Sequence, residues 1–341
     1  MCADRPRPAP EAASLLTLYD FVHCNKSLAQ HFIAQPPFDA NSSAQAPFSA
    51  FLSFTSYLYQ HAYRSARSTS YAHLTLLILT LLVEDASVTK LLCETTATVR
   101  LSRQRPPFLP LSKPAERPYT ATLLDLLVDG LNHNLRKRLD SGFYLQSTIV
   151  TLRLLSYLSR TRTKVAYHWS ELWRCLLSFV RFLTTYADDL RHLLHTSALL
   201  RAVVDVLVLA LTGGDAFLPT STDYDDLFYK LVESGEALIK LRDTFALAKP
   251  DEQNAPINTL VGVSEHYKEL IESQRAKQEH LGPKEVARII KQGYETLRIE
   301  GQDGVVTESV RSYREADHKA ELKRIARTAV ADAVLLVSSS G

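Results

Sequence analysis

Asp188, His192 and His195 come closest to a metal-binding arrangement. On one helix the two histidines would fall a turn apart, with Asp188 a turn earlier, so three ligands would share a face. No HExxH motif and no second ligand cluster follows. Surface or capping roles explain these histidines more simply. Asp223, Asp225 and Asp226 could chelate Mg²⁺, yet acidic residues at a helix start also answer the positive end of the helix dipole. Cys2, Cys24, Cys93 and Cys175 show no CxxC spacing, which implies neither a zinc knuckle nor a disulfide framework. There is no GxSxG, no phosphate loop and no GxGxxG. The expectation is a protein without catalytic residues, cofactor or bound metal.

Chemistry directed at a partner is easier to find. Arg100, Arg103 and Arg105 precede Pro106-Pro107-Phe108-Leu109-Pro110-Leu111, and Lys113 follows. Three readings compete. Cations beside exposed apolar residues could meet anionic lipid headgroups. The prolines could present an extended ligand to another protein, although no cation sits at the offset an SH3 ligand uses. Or the loop packs its apolar residues on neighbouring helices and solvates its arginines. Arg136, Lys137, Arg138, Arg160 and Arg162 would complete a basic face with these residues.

Charge is polarised along the chain. Residues 97–181 carry 14 Lys/Arg against 5 Asp/Glu, and residues 182–285 carry 10 against 17. A net +2 hides this asymmetry. It could present a basic face to an anionic partner, or let the two regions attract each other. Tyrosines do not interleave with the arginines, so nucleic acid is not expected.

The elements that must position these groups read as helices. Only 11 glycines and 15 clustered prolines interrupt 341 residues, which disfavours a turn-dense β fold. Apolar spacing places helices at 12–23, 26–34, 48–67, a stretch from Ser68 or Ser70 to 83, 86–94, 120–133 and 139–162. Residues 96–118 form one long irregular segment. Trp169, Leu172, Trp173, Leu176, Leu177, Val180 and Leu183 then mark a single apolar stripe, with Trp169, Trp173, Leu176 and Val180 as core. The next helix should start at Asp188–Asp189 and stop near Thr212, before Gly213-Gly214. Thr222 or Asp223 could cap a helix running to about 247. Further helices are expected at 257–280, from Pro283, and at 310–337, the last with a Glu315–Lys319 pair.

The expected fold is therefore all-α: an armadillo/HEAT-like array or irregular bundle of about 10–12 helices without a convincing strand. The expected organisation is a tail at 1–11, a main helical domain at 12–248, a linker at 249–256, C-terminal helices at 257–337 packing on the main domain, and a tail at 338–341. The strongest apolar runs, Leu74–Val83 and Ala202–Leu211, are about half a bilayer span, so no transmembrane segment is expected. The N-terminus lacks a secretory pattern, and a cytosolic setting is expected.

Several segments carry a family likeness: LTLYDFVHCNKS (16–27), SAFLSFTSYLYQHAYRSARSTSYAHLTLLIL (from 49), RLSRQRPPFLPL (100–111), DGLNHNLRKRLD (129–140), YHWSELWRCLLSFVRFL (167–183), AFLPTSTDYDDLFYKLVESGE (216–236) and KQGYETLRI (291–299). Over roughly residues 15–300 the chain resembles the C-terminal conserved domain of the armadillo-like helical domain-containing protein 3 family, in its fungal form. The resemblance implies an armadillo-like helical fold and no catalytic residues. It also implies a cytosolic scaffold, peripherally associated with Golgi membranes and linked to phosphatidylinositol 4-kinase beta. The family's N-terminal helical repeats have no counterpart in this sequence.

Overall fold

The structure is a computed structural model that describes residues 8–38, 45–102, 109–110, 116–135, 140–248, 255–275, 285, 288–289 and 312–339. It divides into two compact units: Met1–Leu154 with Arg311–Gly341, and Leu155–Val310. The division falls inside a helix rather than in the 249–256 segment, of which residues 249–254 lie outside the described residues. The helix expected from Pro283 also lies mostly outside them.

The first unit holds α1 (Ser14–Cys24), α2 (Lys26–Ala34), α3 (Pro47–His61), α4 (Ala66–Glu84), α5 (Ala86–Glu94), α6 (Tyr119–Asn134) and the start of α7 (Ser141–Thr161). Consecutive helices pack on one another: α1 on α2, α3 on α4, α4 on α5, and α5 on α6. Longer-range pairs, α1 on α4 and α3 on α6, close the core. Short polar residues set the helix starts by accepting otherwise unpaired backbone N–H groups. Asn25 Oδ1 caps α2 at Leu28 N, and Asp85 Oδ1 caps α5 at Ser87 N and Val88 N. The cap of α4 is Ser65, whose hydroxyl accepts from Ser68 N at 3.0 Å, so Ser68 and Ser70 lie inside the helix. The helix expected over 48–67 therefore stops at His61, because Ser65 restarts the chain one turn later.

The chain returns to this unit at its end. A 3-10 turn, Glu315–His318, leads into a long helix that we label α14 (Lys319–Ser339). It starts nine residues later than the apolar pattern suggests and packs on α4, α1 and the 3-10 turn Pro10–Ala13. The expected Glu315–Lys319 pair is replaced by Glu315 with His23, 3.6 Å apart.

The second unit contains α8 (Trp169–Thr185), α9 (Ala187–Leu190), α10 (Thr196–Phe217), α11 (Ser221–Glu233), α12 (Gly235–Phe245) and α13 (Pro256–Arg275). α8 packs on α10, α11 and α12, and α13 packs on the same three helices. The apolar stripe of α8 is its buried face: Trp169, Trp173, Leu176, Val180 and Leu183 are fully buried. The two indoles stack with centroids 5.7 Å apart, and Trp169 Nε1 donates to Val165 O.

Two apolar helices, α4 with 19 residues and α10 with 22, are long enough to cross a bilayer by length and composition. They are longer than their apolar runs because residues 66–73 extend α4, and residues 196–201 and 212–217 extend α10. Their apolar windows are 83% and 72% buried, and α4 also buries Ser70, His73, Thr75 and Thr80. Asp205 is buried in α10. Such inward polar side chains suit the core of a helical unit.

Gly213 and Gly214 lie inside α10, which continues to Phe217. They serve close packing instead of ending the helix. A Cβ on Gly213 would lie 2.5 Å from Ser159 Oγ, and one on Gly214 would lie 2.8 Å from the Tyr224 ring. The Tyr224 hydroxyl donates to Leu211 O, which fixes the ring. The true cap of α11 is Thr220 in a capping box with Asp223, and the helix expected to run to 247 breaks at Ser234. Ala246 ends α12 in the left-handed region (φ 49, ψ 50), while Leu247 N donates to Arg242 O at 3.0 Å. Glycine adopts that conformation without a Cβ penalty.

These two sites give opposite expectations for neighbouring chemistry. Gly214→Ala should lower the melting temperature despite a helix-propensity gain of about 1 kcal/mol, because overpacking against a fixed ring costs about 1–3 kcal/mol. Ala246→Gly should raise stability by about 0.5–1 kcal/mol. Urea unfolding of both variants reads the signs, and a stabilised Gly214→Ala would contradict the packing role.

Candidate partner-binding surfaces

The segment 96–118 is closed at its base. Thr96–Ala97 (β1) pairs antiparallel with Arg117–Pro118 (β2), in the register Thr96 with Pro118 and Ala97 with Arg117. This two-residue ribbon is a departure from the strand-free expectation. It forms where side-chain bonds hold the chain ends together: Thr96 Oγ1 donates to Glu116 Oε1 at 2.7 Å. Arg117 reaches Asp125, which is fully buried on α6, at 2.5 Å. Ser102 N donates to Ser56 Oγ on α3, and Ser56 Oγ donates back to Ser102 O.

Leu109 is 3% exposed, so an apolar residue of this loop is spent on the core. That removes one of the three apolar contacts a lipid reading of the loop would use. Arg100 is exposed. Arg103, Arg105, Lys113, Arg136, Lys137 and Arg138 lie outside the described residues. Arg160 and Arg162 are exposed at the C-terminal end of α7, where cations oppose unpaired carbonyls. Arg162 takes a left-handed conformation (φ 53), and Thr163 N donates to Leu158 O behind it. Arg100 belongs to the first unit; Arg160 and Arg162 belong to the second.

The metal constellation considered from sequence does not assemble. Asp188 lies on α9, while His192 and His195 occupy the turn before α10, so no single helix face carries all three. Asp188 is almost fully solvated beside Arg191, and Asp223 is spent on its capping box. Among the described residues no group of three His, Cys, Asp or Glu could hold a metal ion.

Sequence reasoning missed the buried charges that hold α14. His73, on α4, lies between two carboxylates: Nε2 is 2.9 Å from Asp140 Oδ2, and Nδ1 pairs with Glu321. Burial alone would lower the imidazole's pKa, but Asp140 and Glu321 outweigh it and raise it to about 9. Burial would raise Glu321, but His73 and then Arg324 hold its carboxyl below the usual carboxylate range. About three helical turns beyond Glu321, Asp332 is 3% exposed and accepts from the Tyr71 hydroxyl at 2.6 Å. Arg67 Nη2 lies 3.0 Å from the same oxygen. Nearby, Tyr313 N donates to the Glu84 carboxylate, which Arg153 also engages, and Tyr313 Oη bonds Tyr19 Oη at 2.7 Å. A signal was present: Glu321, Ile325, Ala329 and Asp332 share one helix face, with a carboxylate at each end of an apolar pair.

The His73 cluster has a calculable pH signature. A group whose pKa is raised on folding adds stability that is complete below its unfolded value of 6.5 and disappears as pH rises through about 9. The Glu321 contribution has the opposite sign and disappears in acid, below the ordinary carboxylate range. The stability difference between the parent and His73→Gln should therefore be largest near pH 6, about 3 kcal/mol. It should shrink between pH 7 and 9.5, read by urea unfolding across that range; a difference flat across it would contradict the assignment.

Known proteins place this arrangement in context. The family described as armadillo-like helical domain-containing protein 3, C-terminal, matches residues 117–334. A Schizosaccharomyces pombe relative, named UPF0588 membrane protein C20F10.02c, is 27% identical over 328 residues, covering 94% of this chain and 51% of the relative. The human armadillo-like helical domain-containing protein 3 is 27% identical over 287 residues, covering 79% and 41%. The zebrafish protein of that name (Danio rerio) is also 27% identical, over 285 residues, again 79% and 41%. The chain thus spans about half the length of the curated relatives it matches, or somewhat less. No solved structure matches. A helical array with two units and a family match over most of its length has one assignment: the chain belongs to the armadillo-like helical domain-containing protein 3 family, through its C-terminal domain.

Proposed function

We propose that this chain is a non-catalytic helical scaffold that binds protein partners at Golgi membranes and helps to recruit phosphatidylinositol 4-kinase beta. The family match over residues 117–334 supports the scaffold part of this reading. Armadillo-like helical families use stacked helices as binding surfaces. The use of buried ionisable groups supports it. His73, Arg153 and Asp332 join α4 to other segments of the first unit, and Asp125 holds Arg117 of β2, so these groups are spent on packing. The protein is cytosolic and associates with the membrane peripherally. α4 and α10 act as core helices, consistent with their buried polar side chains. The name of the fission yeast relative, a membrane protein, agrees with a membrane address.

Arg160 and Arg162 are exposed at the C-terminal end of α7, where their charge can steer an acidic partner. Purified chain immobilised on a sensor should capture phosphatidylinositol 4-kinase beta. Arg160→Glu with Arg162→Glu should slow association by about tenfold, with a smaller change in dissociation. A folded chain, by circular dichroism, that captures none of the kinase would remove this partner.

A further inference from the structure

α14 draws two carboxylates inward and leaves valines in solvent. Its inward face carries Glu321, Ile325, Ala329 and Asp332, and its outward stripe carries Val330, Val334 and Val337; Leu335, off that stripe near the helix end, is exposed as well. These valines are 60%, 58% and 77% exposed. The polar partners in the core explain the orientation. His73 draws in Glu321, and Arg67 with Tyr71 draws in Asp332, so the helix cannot roll its valines inward without stranding two carboxylates. A contiguous exposed apolar ridge on a helix otherwise fixed in place marks a contact surface.

The ridge continues in charge. Lys319, Lys323 and Arg327 are exposed and precede Val330, Val334 and Val337 at steps of four, four, three, four and three residues, a single stripe. None of the three cations has an ion pair among the described residues. No acidic side chain falls in this stripe: Glu321 and Asp332 face inward. Set against a second copy, its basic half meets no counter-charge. It is a convex ridge of small aliphatic side chains, without the aromatic anchors that dominate protein interfaces. A fluid surface can mould to a ridge of this kind. Its charge complement is an anionic one, with the cations at the headgroups and the valines in the shallow acyl boundary.

We infer that the outward stripe of α14, from Lys319 to Val337, is a contact site for an anionic lipid surface. The site is distinct from the basic 96–118 loop. It also stands apart from the kinase reading, because a chain that captures the kinase but ignores vesicles would overturn this inference alone.

Co-flotation of the whole chain with phosphatidylcholine vesicles, with and without phosphatidylserine, tests it. Binding is expected only with phosphatidylserine present, and salt should weaken it. Val330→Ser with Val334→Ser and Val337→Ser should reduce it by about tenfold, and Lys319→Glu with Lys323→Glu by more than that. If the serine variant loses helicity by circular dichroism, the lysine variant decides. Absence of binding by the parent chain would overturn the inference. So would unchanged binding by the α14 variants, including the case where only Arg100→Glu, Arg103→Glu and Arg105→Glu together remove it. A concentration-dependent dimer by light scattering that the serine variant dissolves would assign the stripe to self-association instead.

Discussion

Two carboxylates on the last helix, Glu321 and Asp332, fix how the first unit closes. Removing a charge from water costs several kcal/mol unless a partner is waiting in good geometry. Here the partners are waiting on α4: His73 for Glu321, and Arg67 with Tyr71 for Asp332. The two positions are three turns apart on one face, so together they set both the rotation and the axial position of α14. Two apolar residues in their place could pack as well or better. They would, however, leave a helix with apolar residues on both sides, whose orientation no interaction would select. The charged pins trade part of the burial energy for a single register. The surrounding polar bonds extend the same logic, since Glu84 holds both Arg153 on α7 and the backbone ahead of α14.

The second unit is specified by a different principle. Its contacts are set by shape. The stripe of α8 puts two stacked indoles into the core, and Phe217 lies 5.2 Å from Trp169. Gly213 and Gly214 leave room for Ser159 and the Tyr224 ring where any side chain would collide. Packing of this kind tolerates little change of volume in either direction. Burial lifts the Tyr224 hydroxyl's pKa to about 12, with the Asp215 charge adding to the effect, so the group stays a donor to Leu211 O throughout the ordinary pH range.

That contrast also explains which parts of the fold were legible in the sequence. α5 and α8 follow their sequence pattern because each is decided within a few turns, by a cap or by an uninterrupted 3.6-residue stripe. The starts of α4 and α11 differ by a few residues from the local pattern, since several Ser, Thr and Asp residues compete for each cap and only packing chooses among them. Gly213-Gly214 has the local chemistry of a helix end, and only a neighbour on another helix turns it into a packing site. Tyr71 and Asp332 are 261 residues apart, a separation at which no periodicity or motif carries information. As for the candidate site, Arg100, Arg160 and Arg162 are at the surface, and the buried Leu109 favours an anchored loop base.

The ionisable side chains of the first unit fall into two populations, and the difference bears on function. Those inside are paired: His73 with two carboxylates, Arg117 with Asp125, and Arg67 with Asp332. The His73 and Arg67 pairs join α4 to segments distant in sequence, while Arg117 ties β2 to the helix that follows it; a group engaged in packing in this way is poorly placed to bind a substrate. The exposed cations Arg100, Lys319 and Lys323 contribute nothing of this kind to the fold. Exposed charges act mainly on association rates and orientation at a partner's surface. A fold that spends its internal polar chemistry on register and leaves unpaired cations beside exposed valines is organised for contact with other surfaces. Its specificity should then lie in side chains that can be exchanged without disturbing the core, and those of α14 meet that condition because the opposite face of the helix is independently pinned.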